Sequence, residues 1–182
     1  RIWTTIATGQ PPDVHGVEGL ETRRVAGVQG SVAMAGPSPI ARAIRGATDL
    51  VRLTRPSIAS GTERRTKTFW EVAASAGLRT AVVNWWATWP ASPEAGIVLS
   101  DRATLRLERG GPLDAELSPA TLYDTLRQQW TEIRTRAESR ATAAIDFNGE
   151  EAARTILRRS AELDAVQLEL LSRIATPATD LS

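Results

Sequence analysis

The stretch LRTAVVNWWATWP, Leu78 to Pro90, decides how this chain folds. Arg79 to Val83 is short, apolar towards its end and β-branched, and it opens just after Gly77. A run of that length beside a glycine suits an interior strand of a parallel sheet better than a helix. The preceding TKTFWEVAASAG repeats Phe69, Val72, Ala73 and Ala76 at helical spacing, with Gly77 in the place of a C-cap. Helix, glycine and buried strand make an αβ unit, which predicts a parallel sheet with helices on its faces. In such sheets the ligand site lies beyond the carboxyl ends of the strands. Asn84, Trp85, Trp86, Thr88 and Trp89 fall there and are the candidate substrate-side residues.

Working outward, 182 residues suffice for one domain with a real core. A net charge of +1 gives no strong field to favour nucleic acid or an anionic membrane. The basic residues are nearly all arginine, with Lys67 the only lysine. There is no cysteine, which excludes a disulfide framework and a thiolate metal site but does not choose between cytoplasm and periplasm. No apolar stretch approaches the roughly 20 residues that span a bilayer. The chain opens at Arg1 straight into IWTTIATG, with no N-cap residue ahead, and closes in ATPATDLS where a new strand would begin. Both ends read as cuts, so residues 1–182 are expected to be one partial domain from inside a longer protein.

Taken in order, Ile2 to Thr8 predicts a short helix ended by Gly9, and Gln10-Pro11-Pro12-Asp13 a turn. Residues 17–66 read as an irregular or helical excursion. Val14 to Gly36 is glycine-rich without periodicity, Pro37 to Arg55 is an imperfect helix, and Pro56 to Thr66 is polar loop. Ile97-Val98-Leu99 suits an edge strand or a bridge. Ser118-Pro119 predicts a helix start, with Ser as N-cap and Pro in the first position. Leu122, Leu126, Trp130, Ile133 and Ala137 then form an apolar stripe. A last long helix is capped by Asn148, carries Glu150 and Glu151 in its first turn, buries Ile156, Leu163, Val166, Leu170 and Ile174, and stops at Pro177.

Trp85, Trp86 and Trp89 are half of the chain's six tryptophans. They pack a sheet–loop corner as core or wall a ligand pocket with rigid, half-polar surface. His15 is the only histidine, so a zinc site within the chain would rest on it and carboxylates alone; a turn histidine bonded to nearby backbone is the simpler reading. Thr4, Thr5 and Thr8 offer hydroxyls, yet one histidine leaves no triad to assemble. Asp101 before Arg102 reads as a local ion pair or turn. The arginines at 127, 134, 136 and 140 share their helix with Glu132 and Glu138 and make a solvated face.

Three pieces together, IWTTIATGQPPDVHGV at 2–17, KTFWEVAASAGLRTAVVNWWATWPA at 67–91 and GIVLSDR at 96–102, resemble bacterial members of the alkaline phosphatase superfamily. Within it they are similar to the type I phosphodiesterase/nucleotide pyrophosphatase branch. Thr8-Gly9, Pro11-Pro12 and His15-Gly16 match the part of the family pattern that follows its Ser or Thr nucleophile. The resemblance implies a partial doubly wound, mostly parallel α/β sheet with flanking helices. It also implies a two-metal site, usually zinc, where a metal-activated hydroxyl attacks phosphorus and water opens the phospho-enzyme. Counted back from Thr8-Gly9, the nucleophile would fall about two residues before Arg1, and the metal ligands further out on either side. On this reading no catalytic residue or metal ligand lies within the chain. An asparagine that holds the phosphoryl oxygens in nucleotide-cleaving members would fall near Ile2, which has no amide to offer.

The expected function is that of a metal-dependent phosphoric-ester hydrolase whose fragment here is inactive alone. It would act on a small-molecule, lipid or glycan phosphoester, and no nucleic-acid binding is expected. A sulfatase or phosphomutase branch of the same superfamily, or a non-catalytic module that binds a sugar or lipid headgroup through the tryptophan loop, are the alternatives.

Overall fold

The computed structural model describes residues 2–19, 21–25, 32–33, 46–48, 50, 54–144 and 150–175. Ile2–Thr8 is helix α1, closed by Gly9 at φ +65°, whose N–H donates to the Thr5 carbonyl at 2.8 Å. The expected turn at Gln10 to Asp13 is instead the entry to a one-turn helix, Pro12–His15 (α2). Proline in a first helical turn gives up a donor that has no partner there, so Pro12 starts the helix.

The excursion expected over 17–66 carries an antiparallel sheet in the order β2-β1-β3: Glu21–Val25 (β1), Val32–Ala33 (β2) and Thr54–Ile58 (β3). The polar loop expected from Pro56 therefore opens inside a strand. Among the described residues β3 pairs only with β1, and a strand bonded on one side tolerates a proline. Most of the helix expected over Pro37 to Arg55 lies outside the described residues. Gly46 to Thr48 and Leu50 are helical, but Thr54 and Arg55 belong to β3.

Thr68 caps the next helix, Phe69–Ser75 (α3), with a reciprocal capping box to Glu71. Arg64 grips the same carboxylate with two bonds of 2.5 and 2.6 Å. Burial opposes ionisation of Glu71, but the bonds from Arg64 and Thr68 outweigh it and hold the carboxyl below its usual range. Gly77 follows in the left-handed region at φ +82°. The inward face differs from the expected one: Trp70 is buried, while Phe69 and Val72 are exposed. A helix of two turns buries one large side chain, and here the bulkier indole takes that place.

Ala81–Val83 (β4) runs parallel to Ile97–Leu99 (β5), and β5 pairs antiparallel with Leu117–Ser118 (β6). The sheet order β4-β5-β6 reverses two expectations. Ile97 to Leu99, read as an edge strand or a bridge, is the central strand of the three among the described residues. Among the described residues the 79–83 run, read as interior, lies at the edge. Ala103–Arg109 (α4) lies between β5 and β6. Ser118 is a strand residue bonded into the ladder and no helix cap, so the helix starts only at Leu122. It runs Leu122–Gln128 (α5) and Trp130–Ala144 (α6), and Glu151–Ala175 (α7) returns against α6. The stripe of Leu126, Trp130, Ile133 and Ala137 is buried as expected. On α7, Val166 and Leu170 are buried, but Ile156 and Leu163 are exposed. At 25 residues α7 outruns the 15-residue α6, so its apolar stripe outlasts the surface it packs on. Asn148 and Pro177 lie outside the described residues.

Successive side chains of a strand face opposite ways. Val82 and Val98 join Ala7, Trp70, Ala91 and Ala95 in one core. Leu99, with Val83 and Ile97, joins Leu107, Leu126, Ile133 and Leu170 in the other. Helices thus cover both faces of a small, partly parallel sheet in a mixed α/β fold.

Candidate functional site

At the end of β4, Asn84 takes a left-handed backbone at φ +52°, a region asparagine tolerates better than most residues. Its N–H still donates to the Leu99 carbonyl at 2.8 Å, so the chain leaves the sheet there. The loop that follows is fastened from below by Asp101. Its carboxylate accepts from the Ala87 N–H at 3.2 Å and the Trp89 N–H at 3.0 Å. The Asp101 N–H donates to the Thr88 hydroxyl at 3.2 Å, and that hydroxyl donates to the Trp85 carbonyl at 2.5 Å. Burial pushes the Asp101 carboxyl above its usual range, against the pull of the two N–H donors. Asp101 and Thr88 therefore hold the loop's shape, and both Asp101 oxygens are occupied.

The three loop indoles face different elements. Trp85 turns to α1 and α3. It lies edge-on to Trp3 (5.7 Å between centroids), Trp70 (5.4 Å) and Phe69 (6.5 Å). Its Nε1–H donates to the Trp3 carbonyl at 3.3 Å. Trp89 turns the other way: its Nε1–H donates to the Asp114 carbonyl at 2.6 Å, and the Arg102 guanidinium stacks 3.6 Å over its ring. Trp86 is half-buried, and among the described residues its buried Nε1–H has no partner. Of the five candidate residues, Trp85 borders an apolar groove of about 580 Å³ beside β4, walled by Phe69 and Trp70 on one side and by Leu168 and Leu171 of α7 on the other. Thr88 lines a separate cavity of about 320 Å³ with Arg64, Glu71 and Pro90.

Trp3, Phe69, Leu168 and Leu171 were not among the candidate site residues read from the sequence, where Phe69 counted only towards the helical spacing of α3. Trp3 and Trp85 are 82 positions apart, and no local period links them.

His15 is buried, with both ring nitrogens bonded. The Val17 N–H donates to Nδ1 at 3.0 Å, and Nε2 lies 3.1 Å from the Thr5 hydroxyl. Burial keeps the imidazole below its ordinary pKa, hence neutral, so the single ring proton is on Nε2 and points at Thr5. A histidine that donates to the hydroxyl cannot take its proton, which removes Thr5–His15 as a nucleophile and base. The Thr8 hydroxyl donates to the Thr4 carbonyl at 2.8 Å. Among the described residues no group of three or more His, Cys, Asp or Glu could hold a metal ion. No helix among them is long and apolar enough to cross a membrane. No family model, curated protein or solved structure matches the chain.

Proposed function

We propose that this chain forms the substrate-bordering part of a metal-dependent phosphoric-ester hydrolase with an alkaline phosphatase-like fold. The observation that carries the reading is the contact of Trp85 with Trp3. It sets the start of α1 at the carboxyl end of a parallel strand pair with helices on both faces, where α/β enzymes keep their ligands. The sequence resemblance puts a Ser or Thr nucleophile just ahead of α1, so the nucleophile would arrive at that same corner. Asn84 would offer its amide to the substrate, and Trp85 would pack on its non-reacting part.

The described residues do not themselves fit a metal pair. Both His15 nitrogens and both Asp101 oxygens are taken by internal hydrogen bonds. Two divalent ions, zinc by the family pattern, would be held by residues outside this chain, and no chemical step falls to its own side chains. The test is zinc-dependent hydrolysis of bis(4-nitrophenyl) phosphate by the natural gene product that contains these residues. Turnover that Trp85→Ala weakens mainly through KM supports the proposal. Absence of zinc-dependent turnover on both this diester and 4-nitrophenyl phosphate sinks it.

A further inference from the structure

Glu169 of α7 is only 2% exposed, yet among the described residues its carboxylate accepts no hydrogen bond. Arg140 brings Nη1 to 3.0 Å from Oε1, but no N–H is aimed at that oxygen. A buried carboxylate without donors is costly and calls for a partner. One turn further on, Arg173 is half-buried. Its Nη1 donates to Gln129 Oε1 at 2.7 Å and its Nη2 lies 3.2 Å from Glu132, while its buried Nε–H has no partner among the described residues. Glutamate four residues before a basic side chain is the helical order that favours an ion pair. Among the described residues these two do not pair, because each is drawn to a different neighbour. Both line a cleft of about 410 Å³ where α5, α6 and α7 meet, a volume within the range of small-molecule sites. Oε1 of Glu169 is sealed in; Oε2, unbonded among the described residues, is not, so it is the acceptor that opens on the cleft. Arg136, 61% exposed, lines the same cleft with one nitrogen 2.8 Å from Glu132 and the rest of its fork uncommitted among the described residues. Leu122, Leu126 and Ile174 add an apolar wall.

We propose that this cleft binds a free α-amino acid with an aliphatic side chain. The ammonium group donates to Glu169, and the carboxylate accepts from Arg136 while Arg173 adds its charge. The side chain lies on Leu122, Leu126 and Ile174. Each polar end of the ligand needs the other. An amine alone would face the guanidinium groups of Arg136 and Arg173, and an acid alone would face Glu132 and Glu169. A zwitterion answers both signs at once, and the apolar wall gives its side chain a place out of water. The cleft shares no lining residue with the groove at Trp85 or the cavity at Thr88, and the proposal does not rest on the hydrolase reading.

Isothermal titration calorimetry of the chain tests it with L-leucine, its decarboxylated form isoamylamine and its deaminated form 4-methylpentanoate. L-leucine should bind saturably. Each half-ligand should bind at least about 10-fold more weakly, because it leaves one charged group of the cleft unmet. Glu169→Gln and Arg136→Gln should each weaken L-leucine at least about 10-fold, the loss of one charge-assisted hydrogen bond. Arg136 is mostly exposed, so its replacement keeps the test standing even where Glu169→Gln unfolds the chain. No saturable heat from L-leucine up to about 10 mM overturns the proposal and leaves water as the donor to Glu169. Isoamylamine that binds as tightly as L-leucine also overturns it, since that marks an amine site. So does L-leucine binding that a folded Gln variant at either position leaves unchanged, since the ligand then sits elsewhere.

Discussion

Replacing Asp101 with alanine should destabilise the chain by about 3 kcal/mol, the cost of leaving two loop N–H groups without their charged acceptor. A hydrogen bond to a charged group contributes roughly 1.5–3 kcal/mol, and a buried donor left alone costs about 1–3. Ala87 is only 4% exposed, so water cannot replace the carboxylate there and the full penalty applies. Trp89 is half-buried, so its N–H recovers part of its loss from solvent. Burial of Asp101 already disfavours its charge, which keeps the sum nearer 3 than 6 kcal/mol. Asp101→Asn keeps one acceptor oxygen and should lose about half as much. The measurement is urea unfolding followed by tryptophan fluorescence and, separately, by circular dichroism. In a chain of this length about 3 kcal/mol corresponds to a Tm fall of roughly 6–12 °C. If Asp101→Ala unfolds within about 0.5 kcal/mol of the parent, the carboxylate does not hold the loop and the reasoning is wrong.

Gly96→Ala should cost more than about 2 kcal/mol. Gly96 sits at φ +75°, and an added Cβ would run into the Thr80 side chain and lie 2.7 Å from its carbonyl oxygen. Because Ile97 bonds that same carbonyl, the damage should appear as faster exchange of the Ile97 amide, and normal exchange there would refute it. The His15 contribution should depend on pH. Burial lowers its pKa in the folded chain from 6.5, so the unfolded chain takes up the proton first. That contribution is complete above about pH 6.5 and is lost as pH falls through the lowered folded value. His15→Gln should therefore show a smaller loss of stability than the parent between pH 7.5 and 5, measured by urea unfolding; parallel losses would argue that His15 does not titrate as described.

The strand at Ala81 to Val83 and the glycine stop before it were legible because they are local. A β-branched run beside Gly77 has few alternatives, and the helical spacing before it closes within two turns. The stripe from Leu126 to Ala137 was legible for the same reason, since one helical period carries it. The sheet of β1, β2 and β3 was hidden, because strands of two to five residues, one of them with a proline, set in a glycine-rich segment leave no period to read. The tryptophan loop was located correctly beside the strand, but its internal order was not visible. That order depends on Asp101 accepting two N–H groups from 12 and 14 residues away.

Sequence alone determined that a short helix ends at Gly9, that another stops at Gly77 and that Ala81 to Val83 is a strand, since those preferences lie within a few peptide units. Tertiary structure alone decided that Trp85 meets Trp3, that Trp89 turns to Arg102, and that Leu168 and Leu171 face β4 across a groove. Those contacts join residues far apart in the chain, and their energy comes from apolar surface that must find a partner anywhere it can. Composition says how much such surface there is; only the packed chain says which pieces meet.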